Sequence, residues 1–289
     1  MELFRALAVL AEPPAAESAR VADALELGPM PTPAEYTELF VFQLYPYASV
    51  YLGPEGMLGG EVRSAVGGFW RALGETPPAE PDHLAVMLAL YARLVEMEEG
   101  ESDEVRRGSL RVARRAYLWE HLLSWLPVYL DKLCEVASPF YRGWGEALAQ
   151  ALVAEAEAVG RQSQLPLYLR DAGRVVDPRR DEVGEFLLSL LSPVRSGMIL
   201  VRSDLTRAAR GLGLGLRLGE RRFILKALLG QDGKGVLEWL AAEASRWAQS
   251  HRLRLETLGE VAAAWEERAS ATANLLRELQ ATTGEIVSD

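Results

Sequence analysis

Residues 112–137 set the strongest constraint on the fold. Tyr117, Leu118, Trp119, Leu122, Leu123, Trp125, Leu126, Val128, Tyr129, Leu130 and Leu133 put apolar groups on nearly every side of a helix. A helix with no clear polar face must be surrounded by other helices, so this segment belongs at the centre of a bundle. Pro127 lies inside it and removes one backbone hydrogen bond. A kink or break is therefore expected near residues 123–124.

The rest of the chain has helical periodicity. Leu84, Met87, Leu88, Tyr91, Leu94 and Val95 form one helix face, and Phe140, Trp144, Ala147, Leu148, Ala151 and Leu152 form another. Similar faces recur at Val183–Leu191, at Val236, Leu240, Ala244 and Trp247, and at Leu258, Val261, Trp265, Thr272, Leu276 and Leu279. Thr32 before Pro33, and Ser138 before Pro139, read as N-caps with proline at the first helical position. Pro81 reads the same way, which would put Asp82 and His83 in the first turn of a helix. Strand signals are scarce. Residues 211–219 alternate glycine and leucine apart from Arg217 and read as a loop between two helices. The expected fold is all-α. The proline-bearing, weakly periodic stretch 161–180 marks a boundary between residues 1–160 and 161–289.

Charge divides the chain at the same place. Residues 1–160 hold 12 basic and 24 acidic side chains; residues 161–289 hold 19 and 17. An acidic body is a poor match for a nucleic-acid backbone, whose binding needs clustered Lys and Arg. It suits a basic partner such as an arginine-bearing peptide. No apolar run is long enough to span a membrane, and the N-terminal stretch, interrupted by Glu2 and Arg5, does not read as a signal peptide. Cytoplasmic residence is the expectation. Cys134 is the only cysteine, so no intrachain disulfide forms, and it reads as an inert thiol in a core helix.

Catalytic patterns are weak. Glu80 and His83 have the Glu-x-x-His spacing of di-iron bundles, but neither His121 nor His251 has a Glu three residues before it. No metal and no cofactor is expected. Gly233-Lys234-Gly235 lacks the spacing and the Ser/Thr of a phosphate-binding loop. Residues 203–229 have the outline of a helix-turn-helix, yet Phe223, Ile224, Leu225, Leu228 and Leu229 leave little of the second helix free to read bases. His83 lies beside Asp82, and His121 beside Glu120. For each the structural reading, a capping or core role, stands next to the functional one.

The ordered set Pro81-Asp82-His83-Leu84, Glu120-His121-Leu122-Leu123-Ser124-Trp125 and Ser138-Pro139-Phe140-Tyr141 resembles the TorD/DmsD/NarJ family of redox-enzyme maturation chaperones. The resemblance covers roughly residues 34–159. It departs in one place: the Glu80-Pro81 pair sits one residue closer to Asp82 than the family's E-P-x-D-H segment has it. Residues 161–289 lie beyond it.

The resemblance implies a TorD-like helical bundle, followed here by a mainly helical C-terminal region of unassigned role. It implies a chaperone, not an enzyme. The chaperone would hold the precursor catalytic subunit of a molybdenum or tungsten oxidoreductase of the DMSO-reductase class, or its twin-arginine signal peptide, while cofactor is inserted before export. Homodimers occur in the family. On this reading Asp82, His83, Glu120 and His121 contribute polar contacts. Phe69, Trp70, Trp125, Phe140 and Tyr141 contribute an apolar groove that stacks on guanidinium. Two alternatives remain: a GTP-dependent enzyme, since some members have been linked to GTP, and a DNA-binding regulator built on residues 197–230.

Overall fold

The computed structural model describes residues 2–162 and 164–286. It is all-α, with no strand among the described residues. The chain divides into two compact units. One holds residues 1–49 and 57–167, the other 50–56 and 168–289.

The first unit contains α1 (Glu2–Leu10), α2 (Ala19–Ala24), α3 (Pro33–Tyr36), the start of α4 (Ala48–Leu52), α5 (Gly60–Ala72), α6 (Leu84–Gly100), α7 (Glu104–Tyr117), α8 (Leu126–Val136) and α9 (Pro139–Val159). Helix α1 packs on α6 and α9, α6 on α7, and α8 on α9. The apolar segment lies at the centre as expected: Tyr117, Leu118, Leu122, Trp125 and Tyr129 are all buried. The Trp144 indole N–H ties α9 to α1 through the Leu7 carbonyl at 3.0 Å.

Three local features follow from the chain's own chemistry. Thr32 caps α3 in a full capping box with Glu35, and Pro33 opens the helix. The break before Pro127 is present: α7 ends in a π-helical turn, Leu118–Leu122, and the chain restarts as α8 with the proline in its first turn. A second π turn, Thr37–Gln43, follows α3. Neither π turn was legible in the sequence, because an i→i+5 register leaves the apolar pattern almost unchanged.

Helix α6 starts later than proline position suggests. Its first residue is Leu84, with His83 at the N-cap, so Asp82 and His83 lie outside its first turn. The reason is a short antiparallel pairing. Ala48 N–H donates to the Asp82 carbonyl at 3.0 Å and Leu84 N–H to the Pro46 carbonyl at 2.8 Å. That pairing holds residue 83 extended. Cys134 is also less enclosed than expected: it is only partly buried, where α8 meets Gly145 of α9.

The second unit contains most of α10 (Leu167–Asp171), then α11 (Val183–Leu191), α12 (Pro193–Ser196), α13 (Arg202–Gly211), α14 (Arg221–Gln231), α15 (Gly233–Arg252), α16 (Leu255–Leu258) and α17 (Glu260–Ile286). It is organised around the long α15–α17 pair, with α12 packed on α17 and α14 on α15. Trp247 and Trp265 flank the buried His251, whose Nε2 lies 2.8 Å from the Gly197 carbonyl oxygen. No helix among the described residues is long and apolar enough to cross a membrane.

Candidate functional site

The residues singled out in the sequence fall into two groups, both within the first unit. The first surrounds the paired segments 46–48 and 82–84. Tyr47 stacks edge-on against His83 with ring centroids 4.9 Å apart. The Tyr47 hydroxyl donates to Glu80 Oε2 at 2.7 Å. His83 Nδ1 lies 3.8 Å from Glu12 Oε1. Glu12 and Glu80 are exposed, whereas Asp82 is buried. The Asp82 carboxylate accepts the Ser49 N–H at 3.4 Å, at the start of α4 instead of its own helix. Asp82 thus braces this corner from inside, and the exposed charge belongs to Glu12 and Glu80.

Aromatic contacts carry the corner further. Tyr36 packs on Phe40 with centroids 5.0 Å apart, Phe40 on Tyr141 at 5.0 Å, and Tyr141 on Phe140 at 5.2 Å. Burial, and then the charge of Glu12, push the Tyr36 phenol up to about 12. Burial and the hydrogen bond to Glu80 push Tyr47 up as well. Both phenols stay protonated and can donate. For His83, burial lowers the pKa although Glu12, Glu80 and Asp82 pull the other way, so the ring keeps its neutral form further into acid than a free imidazole does.

Sequence reasoning missed Glu12, Tyr36 and Tyr47, since nothing in linear spacing joins residues 12, 36, 47 and 80. It also missed the exposed apolar groups beside them in the chain: Val41, Phe42 at 49% exposure and Tyr45 at 41%. The available signal was local. Residues 39–45 are more apolar than one helix face needs, and the surplus ended outside.

The second group is interior. Phe69 packs on Tyr117 at 4.8 Å and on His121 at 5.9 Å. The Trp125 indole N–H donates to the His121 carbonyl at 2.9 Å. Trp125 is buried, and Phe69 and Trp70 are half-buried; Phe140 and Tyr141, of the first group, are buried as well and so do not line an open groove. Glu120 accepts the Leu167 N–H at 2.6 Å, so its carboxylate fastens the chain after α9.

Burial alone lowers His121 from 6.5 to about 4. The unfolded imidazole takes a proton as pH falls through 6.5, while the folded one resists until about 4. Stability present at neutral pH is therefore lost on acidification across that window. The expected loss between pH 7 and 5 is about 2 kcal/mol. Urea unfolding at the two pH values should show it, and His121→Gln should flatten the dependence. A variant as acid-sensitive as the wild type would remove His121 as the cause.

The alternatives meet physical obstacles. At Gly233-Lys234-Gly235 the Asp232 carboxylate already accepts the Gly235 N–H at 2.9 Å, putting a negative charge where a phosphate would have to bind. In the helix-turn-helix candidate the loop from 212 to 220 far exceeds the 3–4 residues such a turn uses, and α14 buries Ile224, Leu225 and Leu228. Among the described residues, no group of three or more His, Cys, Asp or Glu side chains is arranged to hold a metal ion.

The class so defined is an all-helical protein whose first unit carries an acidic, aromatic corner. Residues 11–131 match the family described as nitrate reductase delta subunit. The chain is 30% identical over 113 residues to chaperone protein TorD of Photobacterium profundum, covering 38% of this chain and 51% of the relative. It is 28% identical over 129 residues to TorD of Vibrio parahaemolyticus (42% and 59%), and 32% identical over 111 residues to TorD of Vibrio vulnificus (35% and 51%). Over this region the chain is similar to the TorD/NarJ family, and the relatives it matches are chaperones. The chain matches these relatives over about half of their own length.

Proposed function

We propose that this protein is a maturation chaperone for a redox enzyme. It would bind the precursor catalytic subunit of a molybdenum or tungsten oxidoreductase of the DMSO-reductase class through that subunit's twin-arginine signal peptide, in the cytoplasm and before export. The observation that carries this reading is the corner at Tyr47 and His83, where two exposed carboxylates flank a pair of rings. Guanidinium groups are recognised by carboxylates, whose oxygens accept two N–H bonds at once, and by aromatic faces. Glu12 and Glu80 supply the first and Tyr47 the second. Val41, Phe42 and Tyr45 offer exposed apolar surface for the hydrophobic part of a signal peptide. No bond is made or broken, and the cost opposing binding is the ordering of the peptide.

Burial of Asp82 decides the choice of test. Removing its carboxylate leaves the Ser49 N–H without that acceptor, so Asp82→Ala would report on stability together with binding. Glu12→Gln with Glu80→Gln is cleaner, because both side chains are exposed. In calorimetry against a twin-arginine signal peptide the pair should lower affinity about tenfold, since two partly exposed ion pairs are each worth up to about 1 kcal/mol. Moderate salt should weaken wild-type binding in the same sense. Unchanged affinity in the double variant would remove this corner from the binding surface.

A further inference from the structure

The second unit carries a surface feature unrelated to that corner. The loop joining α13 to α14 presents Leu218 at 87% exposure and Leu216 at 43%, and Phe223, at the start of α14, is 50% exposed. Residues 210–226 hold five cations and one acid, in a chain of net charge −10. Arg221 is committed to the Leu200 carbonyl at 2.6 Å. Arg210, Arg217, Arg222 and Lys226 have no carboxylate partner among the described residues. Several exposed arginines elsewhere in the unit are paired with acids: Arg174 with Glu267, Arg179 with Asp177, Arg246 with Glu243, and Arg252 with Glu266.

The loop has a fixed base. The Gln231 side-chain amide makes two bonds to Gly215, accepting its N–H at 2.8 Å and donating to its carbonyl at 2.9 Å. Leu216 and Phe223 line a cleft of about 660 Å³ with Arg217 and Lys226. Leu218 stands outside that cleft. A peptide seated in the cleft would leave the most exposed apolar side chain in water.

We propose that this loop is an attachment site for an anionic lipid surface. Leu216, Leu218 and Phe223 would enter the boundary between headgroups and acyl chains, and Arg217, Arg222 and Lys226 would lie at the level of the lipid phosphates. A bilayer surface is deformable, so it accepts a protruding side chain that a preformed groove does not. Apolar side chains ringed by unpaired cations are the combination that binds such an interface. The acidic remainder of the chain does not prevent this, because charges farther away than about 8 Å are screened at physiological salt.

The test is co-sedimentation of the full chain with vesicles of phosphatidylcholine alone, or of phosphatidylcholine and phosphatidylglycerol in equal parts. Binding is expected to the mixed vesicles only, and to weaken as salt is raised. Leu218→Asp should reduce it by about tenfold or more, and so should the pair Arg217→Glu with Arg222→Glu. These side chains are all exposed, so circular dichroism should be unchanged; if Leu218→Asp lowers helicity, the arginine pair decides. No sedimentation with either vesicle, equal sedimentation with both, or variants that bind like the wild type would overturn the proposal. So would binding of an acidic, leucine-containing peptide without binding of anionic vesicles, which would assign the loop to a protein partner.

Discussion

Gly197→Ala is expected to unfold the second unit, costing more than about 4 kcal/mol, a loss reached only by severe steric or packing defects. Gly197 follows α12 with φ at +76°, in the left-handed region. A methyl group there would overlap the backbone nitrogen of Ala269 on α17 and lie 2.8 Å from its Cα. The obstacle is helix backbone, so no side-chain rotation relieves it. The glycine cannot retreat freely either, because its carbonyl oxygen faces His251 Nε2 at 2.8 Å. Gly28 is the control. Its φ is +80° but nothing lies within 4 Å of an added Cβ, so Gly28→Ala should cost only about 1 kcal/mol, the backbone term alone. Denaturant unfolding of both variants checks the pair. Equal and small losses would show that α12 and α17 are not in close contact at this glycine.

Arg114→Met is the second large expected effect, about 3 kcal/mol, and it falls on the first unit. The Arg114 guanidinium bonds Glu98 on α6 at 3.1 Å, Glu155 on α9 and the Tyr91 hydroxyl at 3.2 Å. The Arg114 and Glu98 side chains are 13% and 8% exposed. Removing the cation leaves the buried Glu98 with only the more exposed Arg111 at 2.8 Å, and the part-buried Glu155 with only the Tyr91 hydroxyl among the described residues. Adding Glu155→Gln to Arg114→Met should restore part of the loss, because the uncompensated charge then disappears. Arg5→Met, which breaks the exposed pair with Glu96, should cost less than about 1 kcal/mol. If Arg114→Met in urea unfolding is no worse than Arg5→Met, the network does not stabilise the bundle.

The bundle was legible in the sequence because helix faces repeat locally. Leu84 to Val95 and Phe140 to Leu152 show their buried sides without reference to any other segment. Pro127 and Pro33 marked a break and a helix start through chemistry contained in one residue. The corner was only half legible. Asp82 and His83 were found, but their surroundings depend on the pairing of residues 46–48 with 82–84, a long-range event with no periodic signature. That pairing also moved the start of α6 to Leu84 and turned Asp82 inward. Glu12, Tyr36 and Tyr47 come from separate segments and meet only in the folded unit. His121 and Trp125 stood out as motif residues, yet their packing against Phe69 and Tyr129 is that of an interior cluster. Lys132, fully enclosed and paired with Glu135 at 2.8 Å, gave no sign in the sequence, since a lone Lys on an apolar helix reads as a surface residue.

The most direct test of the central proposal is to purify the tagged full-length protein from its native host and identify what accompanies it. The expected companion is a catalytic subunit of the DMSO-reductase class, still carrying its twin-arginine signal peptide and lacking its molybdenum or tungsten cofactor. Its amount should fall in the Glu12→Gln, Glu80→Gln variant. Recovery of no such subunit, or of one already processed and loaded with cofactor, would contradict a role in maturation before export.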